Sequence, residues 1–336
     1  MDGEMEMLFV GAKGKMEMEK VPQAGYKIEG LDIAGFNRSS LIKNIGLPFK
    51  LVKSFFQVRS IFKRFKPDAA IGVGGYSSFP VLRFAQAKRI PTFIHESNSF
   101  AGKSNILLGK KATKIFTGTV GMEKFFPGEK IMVTGNPVRA NITSTSVSRT
   151  EGIKSFFLDE SRPTVLIVGG SLGARSINQA IDKHLDELMN AGLQLIWQTG
   201  KLYVDQAAER TKDKKGIWTS EFITDMEKAY AAADIVVSRS GAMSVAELCV
   251  AGKAVIFVPF PFAAEDHQTV NAEQLVNKNA AMMVKDNEVM EKLSGLIIQL
   301  AADGKKINEL KNNIAAFGIR DADKRIAAEI ISVLKG

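Results

Sequence analysis

The feature of this sequence that most constrains its fold is an alternation of short apolar runs with longer amphipathic stretches. The apolar runs are continuous and rich in β-branched residues, which is typical of strands covered on both faces. Strand–helix alternation predicts parallel sheets with helices on both sides. We therefore expect an α/β protein with two doubly wound domains that face each other across a cleft. The predicted strands cover residues 7–10, 69–72, 92–95, 114–117 and 131–134, then 164–168, 194–198, 235–238, 254–259 and 281–284.

A break in this alternation divides the 336 residues, a length that suits two domains. The strand predicted at 131–134 is followed by the turn TGNPVR and a Ser/Thr-rich stretch, and ESRPTVLIVGG then begins a new series. We expect an N-terminal domain over 1–138, a linker over 139–160 and a C-terminal domain over 161–317. The last helix, over 318–336, is a candidate to pack back on the N-terminal domain.

The composition excludes several kinds of site. The chain has one cysteine, Cys249, and three histidines, which excludes an internal disulfide framework and a four-cysteine zinc site and makes a histidine-rich metal site unexpected. No apolar run approaches the ~20 residues of a membrane-spanning helix. The first residues, MDGEMEMLFVG, lack the basic region and cleavage signal of an exported protein. We expect a protein of the reduced cytosol that uses no metal and no cofactor.

The net charge of +9 is unevenly distributed. Residues 1–139 contain 22 Lys and Arg against 11 Asp and Glu, whereas the remainder contains 23 against 25. The whole excess of positive charge therefore lies in the first half. Such asymmetry indicates an anionic partner, which is a nucleic acid, a membrane surface or a phosphorylated substrate. The alternative is a solvated basic surface.

A helix predicted over 40–65 concentrates this charge, since residues 34–67 contain eight basic and no acidic residues. Its apolar residues form two stripes, one through Phe55 and Phe62 and the other through Phe49 and Phe56. One stripe must cover the sheet, and the other fits the headgroup region of an anionic membrane unless both stripes are core. No recognisable nucleic-acid-binding fold accompanies the helix, so no nucleic-acid partner is expected. The residues predicted to face the membrane are Phe49, Lys53, Phe55, Phe56, Arg59, Phe62 and Lys63.

Two glycine-rich turns follow predicted strands, AAIGVGGYSSFP at 69–80 and TVLIVGGSLGAR at 164–175. Glycines let the backbone approach a ligand, and the following helix start offers free N–H groups to a phosphate. The second turn also matches G-x-S-x-G, so an acyl hydrolase with Ser171, Asp234 and His267 is an alternative. A tight turn without a ligand is another.

Other segments place polar residues where strands are predicted to end. IVVSRSGAMSVAELCVAG predicts a helix from about Ala242, on which Glu247 accepts two hydrogen bonds from a diol such as a ribose, unless it faces solvent. Arg139 in TGNPVR is a candidate phosphate ligand or a surface arginine. In IHESNSFAGKSN, His95 adjoins a carboxylate and is a candidate base, although a loop histidine is more often structural. FVPFPFAAEDHQTVNA carries a polar cluster into a helix start.

Together these motifs resemble the MurG family, the UDP-N-acetylglucosamine transferases that complete the lipid-linked peptidoglycan precursor. The resemblance implies two Rossmann-like domains of the glycosyltransferase B type, with the UDP-sugar in the C-terminal domain and the lipid acceptor on the N-terminal domain. It covers Leu8 to about Asn271 in GVGGYSSFP, IPTFIHESNSFAGKSN, TGNPVR, VLIVGGSLGAR, WQTGK, EFITDMEKAYAAADIVVSRSGAMSVAEL and FVPFPFAAEDHQTVNA.

The activity that the resemblance implies is transfer of N-acetylglucosamine, with inversion, from UDP-N-acetylglucosamine to undecaprenyl-diphosphate-N-acetylmuramoyl-pentapeptide. It implies no metal, because helix dipoles and N–H groups stabilise the leaving diphosphate. It also implies a peripheral protein on the cytoplasmic face of the cell membrane, whose anionic surface would meet the basic helix.

The resemblance further implies roles for individual residues. Ser171 and Arg139 would contact the phosphates or sugar of the donor, and Ile223 would pack on or bond to the uracil. Gln268 would bond the N-acetylglucosamine, which Asn98 would reach from the N-terminal side. One helix start would wrap the diphosphate and ribose, with its glutamate on the ribose hydroxyls, through Ala242, Met243, Ser244, Val245, Ala246 and Glu247.

The sequence departs from the family at its start. The family opens with a strand, a GGTGGH loop and a helix, whereas EMEMLFVGA corresponds to the second strand, so an incomplete N-terminal domain is expected. The loop carries the histidine often proposed as base, and His95 is the nearest substitute. We hypothesise that the true start lies upstream, which in-frame codons for the unit would support and an immediate stop codon would contradict. The alternative is an impaired form that only binds UDP-N-acetylglucosamine.

Overall fold

The computed structural model describes residues 5–35, 46–144, 146–170 and 172–335. These residues divide into two compact units. The first comprises the described residues of Met1–Ser97, Ala101–Thr134 and Lys324–Gly336, and the second those of Asn98–Phe100 and Gly135–Asp323.

The first unit alternates short parallel strands with helices, as the apolar pattern predicts. Its strands are β1 (Leu8–Ala12), β2 (Lys27–Leu31), β3 (Ala70–Gly72), β4 (Thr92–Glu96), β5 (Lys114–Thr117) and β6 (Ile131–Val133). Its helices are α1 (Glu17–Gln23), α2 (Leu47–Phe65), α3 (Gly75–Ala87) and α4 (Lys103–Gly109), together with α15 (Ala322–Lys335) from Lys324 onward.

The strands of the first unit form two separate sheets. β1 pairs with β2, and β3 to β6 form a second sheet in the order β3-β4-β5-β6, with all neighbours parallel. Within the described residues no strand joins β1 to β3. Apolar side chains on and beside these two strands are consequently exposed, since Phe9 is 40%, Ile71 45% and Val73 70% accessible.

The last helix, α15, packs on the four-stranded sheet of the first unit. Ile326 lies in one apolar cluster with Phe93 of β4 and Phe116 of β5, whose rings stack 5.9 Å apart. Lys114 and Glu329 form an ion pair of 3.2 Å on the same surface. The chain therefore returns to its first unit at the end.

The second unit has one continuous sheet of six parallel strands, in the order β12-β11-β10-β7-β8-β9. The parallel α/β class predicted from the alternation is confirmed. Its strands are β7 (Thr164–Val168), β8 (Gln194–Gln198), β9 (Ile217–Ser220), β10 (Ile235–Ser238), β11 (Ala254–Phe257) and β12 (Met282–Met283).

Ten helices of the second unit surround this sheet in the described residues, and apolar clusters fill both of its faces. They are α5 (Ala140–Thr143), α6 (Arg149–Ser155), α7 (Arg175–Lys183), α8 (Leu185–Asn190), α9 (Val204–Thr211), α10 (Met226–Ala232), α11 (Ala242–Ala251), α12 (His267–Val276), α13 (Val289–Ala302) and α14 (Gly304–Ala315).

Residues 139–160, predicted to be a linker, instead form part of the second unit. They contain α5 and α6, and Ser148 caps α6 in a capping box with Glu151. Ile142, Ile153 and Phe156 are buried in the core of this unit. The Ser/Thr-rich composition that suggested a linker therefore comes from helix caps and turns rather than from an unpacked segment.

Candidate functional site

The start of α11 lies at the carboxyl end of β10, the edge where open parallel sheets bind ligands. Gly241 is the N-cap in an extended conformation, and no side chain in the described residues caps the helix. The N–H groups of Ala242, Met243 and Ser244 therefore have no acceptor within the helix and are available to an anion. The predicted helix start near Ala242 is confirmed. Val245 and Ala246 complete the first turns of the helix.

Glu247 lies on the second turn of α11, and its side chain is only 13% exposed, so it does not simply face solvent. Arg139 donates to both of its oxygens, from Nε to Oε1 at 3.1 Å and from Nη2 to Oε2 at 3.3 Å. Tyr230 donates from its hydroxyl to Oε2 at 3.2 Å. The structure thus brings together two predicted site residues, Arg139 and Glu247, and adds a third, Tyr230, that the motifs did not indicate.

Gln268, on α12, is tied to the loop before α11. Its carbonyl accepts from the hydroxyl of the buried Ser240 at 2.8 Å, and its Oε1 accepts from the N–H of Phe260 at 3.0 Å. Asn271, one turn later, donates to the carbonyl of Ser240 at 3.1 Å and to Asn98 Oδ1 at 3.4 Å. The predicted residue Gln268 therefore contacts the loop before α11, and Asn98 is linked to the same loop through Asn271.

A buried arginine that sequence reasoning missed holds three of the loops at this edge. Arg239 donates to the carbonyls of Val258 and Pro259 at 3.0 Å each, to Asp286 Oδ1 at 2.6 Å and to Ser176 Oγ at 3.0 Å. These contacts join the ends of β10 and β11 to the start of α7 and the turn before α13. The only signal in the sequence was a charged residue between a buried strand and a glycine.

The resemblance implies that Ile223 packs on or bonds to the uracil, and its side chain offers no exposed surface for packing. Its side chain is 2% exposed and lies in the core, and its N–H donates to Gln198 Oε1 at 3.0 Å. The neighbouring Phe222 is half exposed and presents the apolar surface at this position. Ser171 lies outside the described residues.

The hydrolase alternative is wrong. Asp234 precedes β10, where it pairs with Arg149 at 3.0 Å and accepts from the N–H of Thr164. His267 follows β11 and donates from Nδ1 to the carbonyl of Ala264 at 2.6 Å. Because the strands are parallel, the two residues lie at opposite edges of the sheet, separated by roughly the 13 Å that four strand residues span.

In the first unit, His95 is part of β4 and is only 5% exposed, with its Nδ1 3.3 Å from Ser97 Oγ. This burial argues against His95 as the base that accepts a substrate proton. The adjacent Glu96 is also buried and accepts from the N–H of Gly102 at 3.0 Å and from Asn105 Nδ2 at 2.8 Å. Its carboxylate thus fixes the start of α4.

Helix α2 presents one of its two apolar stripes to solvent. Phe49 is 79% and Phe56 66% exposed. The assignment of Phe55 and Phe62 to the same surface is wrong, because Phe55 is half-buried and Phe62 packs in the core, 5.1 Å from Phe84. In the described part of the chain, no helix is both long and apolar enough to cross a membrane.

The basic residues predicted to face the membrane, Lys53, Arg59 and Lys63, are exposed. Lys53 pairs with Asp32 at 2.9 Å, so part of its charge is compensated within the unit. Hydrogen bonds from Lys53 and then Lys13 lower the pKa of Asp32 to about 2. Arg59 and Lys63 add further positive charge to the exposed surface of α2.

Comparisons with known proteins agree with this arrangement. The chain matches the glycosyltransferase family 28 N-terminal domain over residues 2–117 and the glycosyltransferase family 28 C-terminal domain over residues 164–326. A transferase from Phocaeicola vulgatus is 49% identical over 98% of this chain and 89% of its own length. One from Parabacteroides distasonis is 46% identical over 98% and 90%. Both are named UDP-N-acetylglucosamine–N-acetylmuramyl-(pentapeptide) pyrophosphoryl-undecaprenol N-acetylglucosamine transferase.

Solved structures show the same fold. MurG of Acinetobacter baumannii superposes with a TM-score of 0.80 at 27% identity and covers 97% of this chain and 91% of its own. UDP-GlcNAc 2-epimerase of Neisseria meningitidis, bound to UDP-GlcNAc, reaches a TM-score of 0.63 at 14% identity over 98% of this chain and 100% of its own, a likeness of fold alone. With relatives at nearly half identity over almost its whole length, the chain belongs to the MurG family of glycosyltransferases, and both its domain types are those of glycosyltransferase family 28.

Proposed function

We propose that the chain is a UDP-N-acetylglucosamine-dependent hexosyltransferase that converts lipid I to lipid II. It transfers N-acetylglucosamine to undecaprenyl-diphosphate-N-acetylmuramoyl-pentapeptide, the reaction for which its relatives are named. The observation that carries the proposal for the site is the uncapped start of α11 with Glu247 two turns along the helix. This arrangement combines an anion site with a carboxylate that accepts hydrogen bonds from a diol. A nucleoside diphosphate carries both matching groups, a diphosphate and a ribose diol.

In this proposal the donor binds at the carboxyl edge of the second unit. The diphosphate lies against the N–H groups of Ala242, Met243 and Ser244, where the positive end of the helix dipole favours negative charge. Glu247 accepts from the ribose hydroxyls. Ser171 and Arg139 are the phosphate or sugar contacts that the family resemblance implies.

The remaining parts of the donor are assigned by neighbourhood. Gln268 contacts the loop before α11 and Asn98 is linked to that loop through Asn271, which supports their role on the N-acetylglucosamine. The uracil is assigned to the segment of Phe222 and Ile223, with the half-exposed Phe222 ring as the apolar contact in place of the buried Ile223 side chain.

The reaction transfers one sugar from a phosphate oxygen of the donor to a hydroxyl oxygen of the acceptor. The acceptor hydroxyl oxygen attacks the anomeric carbon, the bond from that carbon to the β-phosphate oxygen breaks, and a general base takes the hydroxyl proton. The electron pair of the broken bond stays on UDP, whose developing charge the N–H groups of α11 stabilise. Attack opposite to the leaving diphosphate inverts the anomeric configuration.

The membrane role assigned to α2 forms a second part of the proposal. Its exposed rings Phe49 and Phe56, flanked by Arg59 and Lys63, suit an anionic bilayer surface at which rings enter the headgroup region and cations remain at the phosphates. A peripheral position on the cytoplasmic face of the membrane would bring the first unit to its lipid-linked acceptor. Binding to vesicles of anionic and of neutral lipid measures this part directly.

Transfer of labelled sugar tests the catalytic proposal. UDP-N-acetylglucosamine labelled in the sugar is incubated with the chain and the lipid acceptor, and the product is analysed for incorporation and anomeric configuration. We expect one UDP released for each sugar transferred, and a β-linked product from the α-linked donor. Binding of UDP without any transfer would support the alternative of a form that only binds the donor.

A further inference from the structure

The hydroxyl of Tyr230 contacts Glu247, and the proposed function gives this tyrosine no role. Tyr230 lies on α10, is only 4% exposed and belongs to the core that fills one face of the six-stranded sheet. Helix α10 packs along α6 beneath it. From this buried position its hydroxyl donates to Glu247 Oε2 at 3.2 Å.

The second contact of the same carboxylate is of a different kind. Arg139 donates to both oxygens of Glu247, but its side chain is half exposed, and it is held at the turn before α5 rather than in a core. Because the Arg139 guanidinium is half in water, solvent can take over its hydrogen bonds when it leaves Glu247. A ring packed in a core keeps one rotamer. A ligand that competes for Glu247 can therefore displace Arg139 but not Tyr230.

The tyrosine is also a constant donor. Burial, followed by the nearby Glu247 carboxylate, raises the pKa of Tyr230 far above its ordinary value, so the hydroxyl keeps its proton at neutral pH. Once Arg139 has left the carboxylate, the single hydrogen bond from Tyr230 to Oε2 leaves Oε1 and the second lone pair of Oε2 for other donors.

We propose that Tyr230 is a positioning residue that holds the Glu247 carboxylate in the orientation that accepts both ribose hydroxyls of the donor. This inference rests on the proposed donor site. When the diol binds, Arg139 leaves the carboxylate and Tyr230 remains. The orientation of Glu247 then depends on the tyrosine hydroxyl alone.

Tyr230→Phe tests this by removing one oxygen and nearly conserving the ring volume. Titration with UDP and with 2′-deoxy-UDP separates positioning from general damage. We expect the affinity for UDP to fall about tenfold, the size expected for a hydrogen bond to a charged group. The affinity for 2′-deoxy-UDP should fall much less, because its contact with Glu247 is already incomplete. In the transfer assay KM for the donor should rise while kcat stays close to that of the unmodified chain.

Tyr203→Phe is a matched control in the same unit. Tyr203 is also buried and also donates to a carboxylate, Asp182 Oδ2 at 2.7 Å, but this pair lies away from Glu247. We expect Tyr203→Phe to leave both affinities unchanged. Thermal melting of both variants establishes that each is folded.

A second test uses the Glu247→Ala background, in which Tyr230 has nothing to position. Adding Tyr230→Phe there should cause no further loss of UDP affinity. Equal losses for UDP and 2′-deoxy-UDP, or a full additional loss in the Glu247→Ala background, would overturn the positioning role. Failure of the donor site itself is distinguishable, because the unmodified chain would then fail to bind UDP or would bind UDP and 2′-deoxy-UDP equally.

Discussion

The two units of this chain use the same strand–helix alternation, yet their sheets differ. The second unit has six parallel strands in one sheet, and the residues of β7, β8, β10 and β11 are all buried. In the first unit the described strands form a pair and a separate set of four, and Phe9, Ile71 and Val73 are exposed on and beside β1 and β3.

This difference shows what positions a site on such a fold. At the carboxyl edge of the second sheet, buried polar contacts of Arg239 and Asn271 join several of the loops. The continuous sheet supplies adjacent strand ends for these contacts to join. The first unit instead displays its distinctive chemistry, the aromatic and basic face of α2, on an exposed helix that needs no such network.

The largest effect that we expect comes from the glycine turns that the two units share. Gly173 has a φ of +77°, and an added Cβ would overlap the backbone of Thr199 and Gly200, whereas Gly74, with a φ of +96°, has open space around it. Gly173→Ala should destabilise the second unit by about 3 kcal/mol or more, because overpacking adds to backbone strain. Gly74→Ala should cost only the backbone strain, about 1–3 kcal/mol.

Tryptophan fluorescence distinguishes these two variants, because both tryptophans of the chain, Trp197 and Trp218, lie in the second unit. In urea, the fluorescence midpoint should fall for Gly173→Ala and remain unchanged for Gly74→Ala. A normal midpoint for Gly173→Ala would show that the turn of the second unit is not packed as described.

The second prediction concerns buried charge. Desolvation by burial is the main cause that lowers the pKa of Lys253 in the second unit to about 8, and its Nζ donates to the carbonyl of Ala233. At pH 7 the lysine is charged in both the folded and the unfolded chain, so the full cost of burial is present. Lys253→Met removes this cost but also loses one hydrogen bond. The net effect should be an increase in the free energy of unfolding of about 2 kcal/mol at pH 7.

The sign of the pH dependence follows from the same shift. Between about pH 8 and the ordinary lysine pKa near 10.4, the unfolded chain binds the proton and the folded chain does not, so the Lys253 contribution to stability rises with pH. The advantage of Lys253→Met should shrink across this window. Buried Cys249, whose pKa is raised to about 12, acts in the opposite direction, but it is common to both proteins and cancels in the difference. If the free energies of unfolding of Lys253→Met and the unmodified chain differ by the same amount from pH 7 to pH 10, this interpretation is wrong.

The smallest effect concerns the exposed face of the first unit. Replacing Phe49 and Phe56 by Ser should weaken binding to anionic vesicles by about tenfold for the pair, since each ring loses only interfacial burial. Phe157→Ser is the matched control, because Phe157 is 90% exposed but belongs to the second unit. Equal vesicle binding by the two variants would remove α2 from the membrane surface.

Local patterns of the sequence predict the elements of this fold well and the contacts between distant residues poorly. The start of α11 after Gly241 follows from a glycine behind an apolar strand, and Glu247 falls among small apolar neighbours that indicate burial. The pairing of Arg139 with Glu247 joins residues 108 positions apart, and no local signal specifies it. Tyr230 was missed for the same reason.

Two errors have related causes. The stretch over 139–160 has the composition of a linker, and its apolar residues follow no regular period along the sequence. Ile142, Ile153 and Phe156 nevertheless lie in the core of the second unit. On α2, the two apolar stripes have similar spacing, so periodicity alone does not determine that Phe62 faces inward while Phe56 faces solvent. Only the partner across the helix interface, Phe84, decides it.

The central claim is that the second unit binds the donor nucleotide through the start of α11 and Glu247. Calorimetric titration of UDP into the unmodified chain, Glu247→Ala and Glu227→Ala tests it most directly, with Glu227 on the neighbouring α10 as the control carboxylate. The account predicts measurable binding by the unmodified chain and the control, and about 5- to 150-fold weaker binding by Glu247→Ala, equivalent to about 1–3 kcal/mol. Unchanged affinity in Glu247→Ala would contradict it.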